Sequence, residues 1–163
     1  MATATEAKQV LFYHEASSSE AVRVGLTGVL VGALIPLVSW AISQWVLRPI
    51  FCQDVSSSAC MSSDSVGYYV ATVIITAVAV PVLASWGVFR GLLVAISAGV
   101  ALWGLQNYLG ALLGNWLEYG LYSAILFGLA YILFYWLMRL RNFGLGLVAA
   151  LVVILAVRWA LLT

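Results

Sequence analysis

Two groups of residues in this chain have types and spacings that could do more than fill space. Cys52 and Cys60 are separated by seven intervening residues in a Ser-rich stretch that also holds Asp54 and Asp64. A bridge between them closes a loop of about nine residues, which by chain entropy stabilises by roughly 2.5 kcal/mol. Gln106 and Asn107 lie with Trp103 in one apolar run, and Tyr131 and Tyr135 in the next. Amides and phenols at similar depth in adjoining helices can hydrogen-bond to each other, or can line a mostly aromatic pocket with a few uncharged polar points.

Other chemistry is poorly supplied. Thiol exchange normally uses a Cys-x-x-Cys pair with a depressed thiol pKa, whereas this pair is Cys-x7-Cys. The Cys-x-x-Cys of the disulfide-forming membrane oxidoreductases is therefore absent, as is the Trp-Pro-rich first loop of the translocator-protein family. His14 is the sole histidine, so with two distant cysteines no metal or haem site is expected and no cofactor is called for. No Gly-x-Ser-x-Gly, His-Glu-x-x-His or phosphate-loop pattern occurs, and Glu118 is a lone carboxylate at a turn. No catalytic residue is assigned, and an enzyme is not expected. The apolar runs hold no Asp or Glu in their middles, which disfavours proton-coupled transport.

The elements that would position these residues are apolar helices. Hydrophobic residues make up 64% of the 163 and charged residues 8%, against about 25% charged in ordinary soluble domains. A hydrocarbon core of about 30 Å needs roughly 20 helical residues. Runs of that length cover 24–46, 68–89, 91–113, 119–138 and 143–162. The expected architecture is an all-α membrane protein, a bundle of five transmembrane helices over residues 18–163. It follows a polar tail at 1–17, with a short helix over Thr3–Glu15 that can lie at the membrane interface. The first span is expected to begin near Ser18, where Ser17 and Glu20 have capping-box spacing. At 23 apolar residues it is too long for a cleaved signal core and is read as retained.

Charge and cysteines give the same orientation. With alternating spans, Lys8, Arg23, Arg90, Arg139 and Arg141 share one side, and Arg48 and Arg158 the other. The positive-inside rule then puts the N-terminus in the cytoplasm and the C-terminus outside. The loop 47–67, with Cys52 and Cys60, is placed outside too, where disulfides persist. A bacterial inner membrane is the expected location. Arg158, close to the chain's end, is expected to snorkel to the outer surface. Trp45, Trp86, Trp116, Trp136 and Trp159 lie near span ends and read as interfacial anchors.

Small residues mark the packing faces. Gly28 and Gly32 in the first span, and Gly110 and Gly114 on one side of the third helix, have the GxxxG spacing that brings helices close in lipid. Either pair can serve packing within the chain or homo- or hetero-oligomer contacts. Partners other than membrane lipids would dock there, and a net charge of +1 excludes the basic footprint of nucleic-acid binding. The leading expectation is a structural or accessory subunit that packs with other membrane proteins. The alternative is a binding or transport protein for a small neutral or lipidic molecule between the third and fourth spans, held by Trp103, Gln106, Asn107, Tyr131 and Tyr135.

Overall fold

The computed structural model describes residues 18–52, 58–88, 90–105, 108–109, 115–140 and 142–162. It is all-helical. Helix α1 (Ser18–Ile42) passes through a π-helical segment, Ser43–Leu47, into the short α2 (Arg48–Phe51). Then come α3 (Ser58–Ser85), α4 (Gly91–Ala101), α5 (Trp116–Met138) and α6 (Phe143–Leu162). Four stretches are long and apolar enough to cross a bilayer: Ser18–Phe51, Ser63–Ser85, Trp116–Met138 and Phe143–Ala160. Such helices, which satisfy nearly all their internal backbone groups within the segment, are those of an integral membrane protein.

The first span starts at Ser18, and its helical path runs on past residue 46 to Phe51. The expected loop 47–67 is correspondingly shorter, because α2 and the first turns of α3 occupy most of it. Helices gain backbone bonds by continuing beyond the hydrocarbon, where polar Ser62, Ser63 and Asp64 are not penalised. The tail 1–17, the loop residues 53–57 and the side chain of Cys60 lie outside the described residues.

Helix α5 lies antiparallel to α1. Three glycines on α1 set the approach: side-chain carbon added at Gly25 would meet Ile132, at Gly28 the Phe127 carbonyl and the Tyr131 ring, and at Gly32 the Ser123 carbonyl and the Ala124 backbone. Gly128 returns the contact, since a Cβ there would sit 2.7 Å from Val29 Cγ2. Helix α3 also runs antiparallel to α1, with Gly67 against Ser43 and the Ser39 carbonyl. Two threonines in these spans bond back to their own helix: Thr27 donates to the Arg23 carbonyl at 2.9 Å and Thr72 to the Tyr68 carbonyl at 2.8 Å.

Helix α3 ends in a Schellman motif. Val88 N–H bonds to the Leu83 carbonyl at 3.1 Å and Gly87 N–H to that of Ala84 at 3.0 Å, with Gly87 at φ +72°. Buried Leu83 and Val88 supply the accompanying apolar contact. The chain reverses there into α4, which is only 11 residues long, about 16 Å of helix. The expected continuous helix over 91–113 is thus interrupted. Trp103 N–H turns back to Val100 and Leu105 N–H to Leu102, and Gly104 adopts φ +89°. That left-handed conformation costs a glycine little and cannot continue a right-handed helix.

Candidate functional site

Of the five residues expected to share a polar layer, the three that the structure describes, Trp103, Tyr131 and Tyr135, meet different neighbours. Trp103 stacks flat on Tyr69, ring centroids 4.9 Å apart and planes 9° from parallel. Tyr131 is fully buried against Gly28. Tyr135 reaches the end of the bundle, where its hydroxyl donates to the Glu20 carboxylate at 2.7 Å. Gln106 and Asn107 lie outside the described residues, as do Gly110 and Gly114. Side chains at equal height on a helix point to different neighbours according to their 100° steps.

Around Tyr135 a charged cluster ties three elements at what is here called the Glu20 end. Arg139 pairs with Glu20 at 3.4 Å and lies 5.1 Å above the Tyr135 ring. Arg90, the N-cap of α4, donates to the Met138 carbonyl at 3.2 Å and sits 4.7 Å over the Phe143 ring. A cation at the carbonyl end of α5 opposes the negative pole of that helix. Glu20 sits in the first turn of α1, where a carboxylate is equally favoured.

Arg158 does not simply extend to the surface as expected. Its guanidinium donates to the Trp103 carbonyl at 2.8 Å, one of the acceptors freed where α4 breaks. An unsatisfied carbonyl within hydrocarbon costs several kcal/mol, and a charged donor is about twice as strong as a neutral one. The bond therefore both closes the break and anchors α6.

A sizeable concavity lies at the opposite end, the Arg48 end. The glycines hold α1 and α5 together over their Glu20-side halves. Beyond them the facing residues become bulky, Pro36 and Trp40 on α1 against Tyr119 and Trp116 on α5, and the helices part. The result is a cleft of about 690 Å³ walled by Pro36, Leu37, Ser39, Trp40, Ser43, Gln44, Arg48, Asp64, Trp116 and Tyr119. The π-helical segment sits at its rim, with Arg48 N–H bonded to the Ser43 carbonyl. Gln44 and Arg48, four residues apart on the helical path, face one another, and Arg48 donates to the Gln44 amide oxygen at 3.2 Å. Such π-helical segments frequently mark functional places. Arg48 also pairs with Asp64 of α3 at 3.5 Å, both side chains about half exposed at 46% and 58%.

Deeper in the bundle, the phenols of Tyr68 and Tyr119 lie near enough to influence each other, yet neither hydroxyl meets hydrogen-bond geometry. A second, more apolar groove of about 440 Å³ runs between α3 and α4, lined by Thr72, Thr76, Ile96, Gly99 and Trp103 among others. Among the described residues no group of His, Cys, Asp and Glu is arranged as a metal site. No described cysteine is a free thiol, and Cys52 is engaged at the end of α2.

Sequence reasoning used Arg48 for topology, Asp64 as a loop residue and Glu20 as a cap, and did not foresee their pairings. The signals were present, since Gln44 and Arg48 stand four apart and Arg48 and Asp64 bracket the two cysteines. No protein-family model, curated protein or solved structure matches this chain. What it does must therefore be argued from its own geometry.

Proposed function

We propose that this chain is a structural or accessory subunit of a membrane assembly, and that its docking surface is α6. The carrying observation is the contrast in burial: half of the most apolar window of α5 is buried, but 11% of that of α6. The lipid-side face of α6 displays Leu145, Val148, Val152, Leu155 and Trp159, together with exposed Ala156 and Ala160. Small residues four apart permit close helix approach in lipid. Gly28 and Gly32 are consumed by α5, so the reading no longer rests on them.

In this proposal the chain crosses five times, the third passage being α4 and the interrupted segment that follows. Arg90 begins that passage beside Met138, and Trp116 resumes the chain beside Arg48 and Asp64, at opposite ends of the bundle. The Glu20 end, richer in basic residues, faces the cytoplasm of a bacterial inner membrane. The Arg48 end, with a Cys52–Cys60 disulfide, and the C-terminus face outward. No catalytic step is assigned.

Extraction in a mild detergent tests the subunit reading. A species larger than the monomer is expected, and Ala156→Leu with Ala160→Leu should return it to the monomer without lowering its Tm. A strictly monomeric wild-type protein, in detergent and in nanodiscs alike, would overturn it.

A further inference from the structure

We propose that the cleft at the Arg48 end binds the headgroup of a zwitterionic phospholipid, phosphate toward Arg48 and ammonium toward Asp64. This goes beyond the subunit reading and does not depend on it.

Charge is the first argument. Among the described residues that line the cleft, one is a cation and one an anion, Arg48 and Asp64, 3.5 Å apart on opposing helices. An ion pair this exposed contributes little by itself, so both partners remain ready to exchange each other for ligand groups. A guanidinium matches phosphate oxygens in a two-pronged geometry that ammonium cannot reproduce. A neutral pair of this kind selects a neutral, dipolar headgroup over a purely anionic one, because the anion would meet Asp64 uncompensated.

Position is the second argument. Trp40, Trp45 and Trp116 are 59%, 74% and 61% exposed around this end, and exposed indoles cluster at the headgroup level of a bilayer. Trp40 lines the cleft and meets Trp45 edge to face at 6.1 Å, which leaves an aromatic surface for the ammonium. Below the rim the wall is apolar at Pro36 and Leu37, and the exposed Leu37, Leu34 and Leu30 continue along α1 as a track for an acyl chain. A cleft polar at headgroup height and apolar beneath it has the amphipathy of a lipid, which a soluble ion lacks.

The test is lipid retention by the full chain, followed by native mass spectrometry and by thermal shift in detergent. Wild-type protein should retain added phosphatidylethanolamine at least about tenfold better than phosphatidylglycerol, and soluble phosphorylethanolamine should not compete. Arg48→Gln and Asp64→Asn should each erase the preference while leaving the lipid-free Tm within a degree or two. The exchanged pair, Arg48→Asp with Asp64→Arg, should recover much of it, which a general surface defect would not do. Equal retention of both lipids by the wild type would overturn the proposal, as would preference undiminished in both single variants. Competition by free phosphorylethanolamine would overturn the lipid assignment in favour of a soluble ligand. The subunit reading would survive any of these results, since it is read from assembly size.

Discussion

Helices α5 and α6 follow one another in the chain, and by apolar content and length either can cross a bilayer, yet they are used differently. Phe127, Tyr131, Phe134 and Tyr135 of α5 are buried against neighbours, whereas the large side chains of α6 face outward over most of its length. Apolarity does not separate the two, because lipid tails solvate Leu as well as another helix does. What separates them is the partner surface. Helix α5 meets a helix whose Gly25, Gly28 and Gly32 let the backbones touch, and its ends are tied by polar contacts at Glu20. Helix α6 meets the rest of the bundle along one narrow stripe, from Gly146 close under the Leu137 carbonyl, through buried Ala150 and half-buried Val153 and Val157, to Arg158.

This comparison is most severely tested at Gly32. Replacing it with Leu places carbon on the Ser123 carbonyl and the Ala124 backbone, and rigid backbone cannot move aside. A loss of about 3 kcal/mol or more is expected, read as a lowered Tm and an aggregated elution profile; a wild-type melt would break the seam as described.

A smaller loss is expected at the seam's polar end. Glu20→Ala removes the acceptor of Tyr135 and the partner of Arg139. Because the carboxylate is 41% exposed, the cost should be only about 1 kcal/mol, measurable by thermal melting at moderate salt.

Tyr131→Phe sharpens the point in the other direction. The hydroxyl is buried without a hydrogen-bond partner in this structure, and removing an unsatisfied group can be neutral or stabilising. A Tm equal to or above wild type is the expected result, and a drop of several degrees would mean that the hydroxyl has a partner.

The smallest effect belongs to α6. Val152 is 60% exposed, so Val152→Ala should change monomer stability by no more than about 0.5 kcal/mol, in contrast to any truncation at Phe127.

Much of the fold was legible beforehand because its cause is local. Apolar stretches of bilayer length must be helical, and Gly28 and Gly32 lie on one stripe whatever they face. Residues 91–113 read as one helix because their apolar content is continuous, whereas the α4 backbone stops at Ala101 and Gly104 is left-handed. Gly104 reads as one more small membrane residue, and only the Arg158 bond to the Trp103 carbonyl makes a break there tolerable. The candidate site was less legible still. Tyr131 and Tyr135 were recognised as polar groups at depth, but the first serves close packing and the second an ion-pair cluster. The cleft was not foreseen at all, since Arg48, Asp64, Trp40 and Trp116 come from separated stretches of the chain.

By itself, then, the amino-acid order determined the solvent of this protein, the helical state of its spans and the small-residue stripe on α1. Hydrophobic length and the absence of water for backbone groups dictate all three without reference to any neighbour. Only the tertiary structure decided that α1 spends its glycines on α5, that α4 stops short, that α6 stands largely outside, and that α1 and α5 part around a charged cleft. In a membrane no gradient of apolarity ranks one helix pairing over another. Close backbone approach and a few polar bonds make that choice, and both exist only once the helices have met.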